Sequence, residues 1–79
     1  MNIKILGTGC AKCQALENKV RSIVEKEAIN AEITKVTDLK QIMGYGVMMT
    51  PGLVINEKVV SFGTIPSENQ IVAWIKENT

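Results

Sequence analysis

Two cysteines, Cys10 and Cys13, stand three residues apart in the run Leu6-Gly7-Thr8-Gly9-Cys10-Ala11-Lys12-Cys13, and the chain has no others. They fall where an apolar segment, Ile3, Ile5 and Leu6, gives way to a stretch of helical periodicity. A cysteine at a helix N-terminus sits beside unpaired backbone N–H groups and the positive end of the helix dipole. Both favour thiolate over thiol, and the thiolate is the form that attacks a disulfide. A second cysteine one turn further in can close a small disulfide ring, so the spacing suits reversible dithiol–disulfide exchange. Metal binding is the competing chemistry, because two soft thiolates suit Cu(I). A mononuclear zinc site normally wants four ligands, and the chain has no histidine to help complete one. Two incidental core cysteines are the remaining alternative, and the position at a strand–helix junction argues against it.

The elements that must position this pair can be read from periodicity. Asn2 to Leu6 reads as a strand. From about Cys10 to Ala28, Leu16, Val20, Ile23 and Val24 recur at helical spacing and form one apolar stripe. Cys13 lies three residues before Leu16 and joins the stripe, whereas Cys10 lies at the helix mouth, so the first cysteine is expected exposed and the second buried. Ala31 to Val36 reads as a second strand. Asp38 begins a short helix with Gln41 at the capping-box position; Leu39, Ile42 and Met43 are its expected inner face, and Gly44 or Gly46 ends it. Leu53 to Ile55 and Lys58 to Phe62 flank Asn56-Glu57 as a hairpin. Ser67 and Gln70 form a capping box for a last helix that carries Ile71, Trp74 and Ile75 inward. The order βαβαββα predicts an α/β fold: a right-handed parallel crossover followed by a hairpin, giving a four-stranded mixed sheet with helices on both faces.

At 79 residues, 46% of them apolar, the chain is expected to be a single domain spanning 1–79. Its net charge of +1 is interspersed, which argues against a nucleic-acid track or a polybasic membrane patch. No run approaches the ~20 apolar residues of a membrane span. Met1 to Leu6 reads as a first strand and not as a signal peptide. The expected compartment is the cytosol, where a lone CxxC is more often redox-active or metal-binding than a structural staple.

The element order, with the CxxC after the first strand and Thr50-Pro51 opening the third, resembles the thioredoxin fold. The resemblance is closest to the small archaeal and bacterial thioredoxin-like proteins, also called redox-active disulfide proteins. It rests on Gly7-Thr8-Gly9-Cys10-Ala11-Lys12-Cys13 and on Gly46-Val47-Met48-Met49-Thr50-Pro51, and it covers essentially the whole chain. It implies a minimal thioredoxin-like fold with Cys10 as the attacking thiolate and Cys13 as the resolving thiol. It implies a cis bond at Thr50–Pro51 packed beside the cysteines, with the Thr50 backbone pairing to an extended substrate segment. Gly9, Ala11 and Lys12 would support the site, Gly9 by permitting the turn and Lys12 by adding a little positive charge. Three features depart from the thioredoxin pattern. No aromatic residue precedes Cys10, and Ala11-Lys12 stands in place of Gly-Pro. Lys4 occupies the position, six residues before Cys10, where thioredoxins keep a buried acid.

The expected function is thiol–disulfide oxidoreduction on protein disulfides by a monomer, recharged by a flavin-dependent disulfide reductase linked to NADPH or ferredoxin. No cofactor or metal is expected on the chain; Gly63-Thr64-Ile65-Pro66-Ser67 does not reproduce the Gly-Gly and acid with which glutaredoxins hold glutathione. A Cu(I) carrier using the same CxxC is the first rival, but heavy-metal-associated domains run βαββαβ and end in a strand. A redox-sensing or adaptor module is the second. Of the other residues singled out, Thr8 is expected in the loop or as a helix cap, Lys4 on an exposed strand face, Met43 and Trp74 in the core, and Met48 or Met49 along a substrate groove.

Overall fold

In the computed structural model, which describes residues 1–78, the elements are β1 (Asn2–Leu6), α1 (Ala11–Lys26), β2 (Glu32–Val36), α2 (Leu39–Gly44), β3 (Gly52–Ile55), β4 (Lys58–Phe62) and α3 (Glu68–Glu77). The sheet order is β2-β1-β3-β4. β1 runs parallel to β2, from Asn2↔Glu32 to Leu6↔Val36, and antiparallel to β3, from Ile3↔Ile55 to Leu6↔Gly52. The expected βαβαββα order and mixed four-stranded sheet are therefore present.

Alternation along β1 sends its side chains to two different cores. Ile3 and Ile5 pack with Leu16, Val20 and Ile23 of α1 and with Ile71 and Ile75 of α3. On the opposite face Leu6 packs with Val36, Val54, Val47 and Ile42 of α2. Each fully buried aliphatic side chain of this size contributes roughly 1.5–3 kcal/mol relative to exposure. Helices thus cover both faces, and the central strands β1 and β3 are fixed from both sides.

The hairpin turns on Asn56 (φ 50°) and Glu57 (φ 67°), the pair of left-handed residues that a two-residue loop of matching twist requires. Ser67 and Gln70 close their capping box at the start of α3. Asp38 caps α2 by accepting from Lys40 N–H at 2.8 Å, in place of the box expected with Gln41. α2 also differs in its faces. Only Ile42 is buried, while Leu39 and Met43 are 61% and 65% exposed. Six residues make less than two turns, so one side chain can point at the sheet and its neighbours flank it on the outside. Trp74 lies against the α1/α3 core as a half-buried edge residue, and Ile71 and Ile75 alone of the three are enclosed. Among the described residues no helix is long and apolar enough to cross a membrane.

Candidate active site

The loop from β1 to α1 is shaped by two glycines. Gly7 N–H donates to Val36 O at 2.9 Å, extending the parallel ladder by one residue. A Cβ at Gly7 would overlap Cys13 Sγ, with Cys13 Cβ at 3.0 Å and Thr50 Cβ at 3.9 Å. The bare Cα of Gly7 therefore lets Cys13 pack against the backbone, with Thr50 close by. Gly9 (φ +93°) turns the chain into the helix in a conformation that L side chains resist.

Cys10 is itself the N-cap of α1. Its backbone is extended (φ −66°, ψ 166°), and its Sγ accepts from Cys13 N–H at 3.2 Å. It is bonded to Cys13 as a disulfide, Cα to Cα 5.0 Å. Cys10 is exposed and Cys13 is 5% exposed, as the helical stripe predicts. The first turn of α1 holds no acid to oppose a thiolate at the cap. A backbone N–H and the N-terminal end of a helix dipole are groups that favour negative charge on a sulfur so placed. Thr8, Ala11 and Lys12 are exposed around it. The cap at this junction is thus Cys10, and Thr8 is a loop residue.

The Thr50–Pro51 peptide is cis. Pro51 is buried and Thr50 half-buried, and Pro51 O accepts from Gly63 N–H at 2.8 Å. Met49 lies against Gly63. Met48 is 93% exposed, Met49 61% and Phe62 52%, apolar side chains on the segment leading into Pro51 and at the end of β4, where Phe62 pairs with Gly52.

Lys4 faces neither the cysteines nor open solvent. It projects to the α2 face of the sheet, where Nζ donates to Glu57 Oε1 at 2.6 Å and Tyr45 Oη at 2.8 Å; Tyr45 O–H donates in turn to Glu57 Oε2 at 3.1 Å. Glu57, and then Tyr45, hold the Lys4 ammonium above its ordinary pKa, while Lys4 and Tyr45 hold the Glu57 carboxyl below its own. The solvent-facing expectation for Lys4 is corrected on that account: alternation puts it on the inner side of α2, next to the hairpin acid.

A small cleft of about 60 Å³ opens beside Cys13, with Gln14, Glu17, Lys35 and Thr37 among its walls. The parallel β1–α1–β2 crossover puts it there, since it brings the carboxyl ends of β1 and β2 beside the mouth of α1. Sequence reading missed Glu17 and Lys35. The available signal was helical spacing, because Glu17 follows Cys13 by four residues and shares its face.

A family model described as a thioredoxin domain matches residues 1–76. A thioredoxin from Methanocaldococcus jannaschii is 42% identical over 74 residues, covering 94% of this chain and 85% of that protein. A thioredoxin from Methanothermobacter thermautotrophicus is 38% identical over 71 residues, covering 90% and 92%. Among solved structures, thioredoxin 1 from Thermosipho africanus superposes with a TM-score of 0.63 at 21% identity over 99% of this chain and 98% of the other. A malarial protein superposes at 0.69 with 16% identity, over 96% and 93%. At such identities the two structures speak for the fold alone.

Proposed function

This chain belongs to the thioredoxin domain family and is a thiol–disulfide oxidoreductase acting on protein disulfides, and from that premise we propose that Cys10 attacks and Cys13 resolves. The observation that carries this assignment is the asymmetry of the pair: Cys10 is an exposed helix cap receiving an N–H bond, and Cys13 is buried one turn deeper. Cys10 thiolate attacks a substrate disulfide and releases one substrate thiolate. Cys13 then attacks Cys10 Sγ, closes the ring and releases the second.

The Thr50 backbone, beside Cys13 and ahead of buried Pro51, offers an edge to an extended substrate segment, and Met48, Met49 and Phe62 offer it apolar contact. Gly9, Ala11 and Lys12 form the exposed lip on the other side. Methionines suit such a surface because they adapt to varied partners. The recharging partner is a disulfide reductase; we assign it to the flavin-dependent class, drawing on NADPH or ferredoxin. The protein works as one domain and as a monomer in the cytosol, a setting consistent with a chain whose two cysteines are both committed to exchange.

The test is mixed-disulfide trapping. Cys13→Ser should accumulate adducts through Cys10, and Cys10→Ser should trap little and be inactive. Limited alkylation of the reduced protein should label Cys10 first, with an apparent pKa well below ~8.5. Equal labelling, or trapping by the other variant, overturns the assignment. Insulin-type disulfides should be reduced catalytically with a flavin reductase, and chelators should have no effect. The copper-carrier reading instead requires one tightly bound Cu(I) per chain and no turnover, and α2 between β2 and β3 already separates this fold from βαββαβ.

A further inference from the structure

Resolution poses a proton problem. Cys13 must shed its thiol proton before it can attack, yet its side chain is almost enclosed, and burial in apolar surroundings pushes a thiol pKa up. The cleft beside Cys13 is the way out. At about 60 Å³ it exceeds several-fold the roughly 10–15 Å³ that one water needs, and its polar walls give water partners. Among the described residues its one carboxylate is Glu17, a helical turn beyond Cys13 and only 17% exposed. Arg21 Nε lies 2.9 Å from Glu17 Oε2 and Lys35 Nζ 3.6 Å from Oε1. Arg21 first, and Lys35 after it, hold the Glu17 carboxyl below its ordinary pKa, so it stands ionised at any working pH. The charged and titratable groups facing it are Cys13 and Arg21 from α1 and Lys35 from β2; β1 presents only Ile5 and the Gly7 that follows it.

We propose that Glu17 is the proton acceptor for Cys13, reached through water in this cleft, with Arg21 and Lys35 as the positioning residues that hold its carboxylate in place. The inference rests on the assignment of Cys13 as the resolving thiol. In the step, the Cys13 S–H proton passes by way of water to the Glu17 carboxylate. The Cys13 sulfur bonds to Cys10 Sγ, the bond from Cys10 to the substrate sulfur breaks, and the electron pair leaves as substrate thiolate. The dithiol is oxidised and the substrate disulfide is reduced. Glu17 then returns its proton to solvent at the cleft mouth. As a weak base it holds the proton only in passing, while the new S–S bond forms and consumes the Cys13 thiolate.

The reduced protein reacting with an aromatic disulfide that liberates a coloured thiolate separates the two steps, since attack by Cys10 releases the first equivalent and resolution by Cys13 the second. Positioned acid–base groups typically contribute about 10²–10⁴-fold, and a thiol needs less help than an alcohol. We expect Glu17→Gln to slow the second release about tenfold at pH 7, with the first release unchanged. The deficit should close as rising pH ionises Cys13 unaided, and Glu17→Asp should recover part of the rate. A group acting only as a nearby negative charge gives the opposite sign, because its removal eases Cys13 ionisation and speeds the second release. A faster second phase, or superimposable pH profiles, overturns the proposal. Cys10→Ser and Cys13→Ser are the controls for the underlying assignment: fast release of the single equivalent by Cys13→Ser and slow release by Cys10→Ser sustains it, and the reverse order of rates would overturn both.

Discussion

A methyl group at position 7 would overlap Cys13 Sγ and stand 3.0 Å from Cys13 Cβ, and both backbones it separates are anchored, one by the β1–β2 ladder and one by α1. Overpacking of this kind costs about 1–3 kcal/mol where the neighbours cannot move away. Gly7→Ala should therefore lower the unfolding free energy by that amount, read as a lower urea midpoint, and slow resolution more than initial attack, because it is Cys13 that must shift. An unchanged second phase of thiolate release would argue that α1 slides freely over the loop. Lys4 bears on the opposite question. Its position matches that of a buried acid in thioredoxins, but its ammonium is engaged by Glu57 and Tyr45 across the sheet from α1. Lys4→Met should thus change the Cys10 pKa by less than ~0.5, as expected of a charge screened and already paired. A displacement of a full pH unit in the alkylation profile would place Lys4 in the active site after all.

The two long helices begin with different caps, and the difference is testable. Ser67 caps α3 with a reciprocal Gln70 bond, legible in the sequence because Ser and Gln three apart before an apolar run are a known start signal. Cys10 caps α1 with sulfur, which periodicity alone does not announce. A serine there retains an acceptor for Cys13 N–H and an alanine does not. Both Cys10→Ser and Cys10→Ala should be inactive, but the serine variant should be more stable by about 0.5–2 kcal/mol, the usual worth of a cap. Equal thermal midpoints would mean that the cap holds nothing. Strands, hairpin and α3 were legible because their signals are local: alternation in β1, the Asn56-Glu57 turn, the capping box. What escaped was set by geometry between elements. The outward turn of Leu39 and Met43 follows from how short α2 is. The place of Glu17 in the site follows from the crossover that sets β2, with Lys35, beside α1. The Lys4–Glu57 pair joins residues far apart in the chain, and only the strand register and the hairpin twist bring them together.

Over the whole molecule, that pair is one of the few polar ties between distant segments. Lys4 from β1, Tyr45 at the end of α2 and Glu57 from the hairpin meet at one point on the α2 face, so the clasp links three segments of the fold. Its pH dependence follows from the two displaced groups. Glu57 is held below its ordinary value of 4.5, so its contribution is fully present above that value and is lost as pH falls through the lower value of the folded state. Lys4 is held above its ordinary value of 10.5, so its contribution is present below that value and is lost as pH rises through the higher folded value. Between these limits the clasp contributes constantly. Urea unfolding of the wild type and of Glu57→Gln should therefore differ at pH 7, and the difference should shrink as the pH is taken below 4.5. Glu17, displaced in the same direction by Arg21 and Lys35, adds its own loss of stability on acidification. That loss is common to both proteins and cancels in their difference, so the narrowing gap reports the clasp alone. Curves that stay parallel down to the lowest pH at which the protein is folded would mean that the Lys4–Glu57 contact, 2.6 Å in the folded chain, adds nothing to its stability.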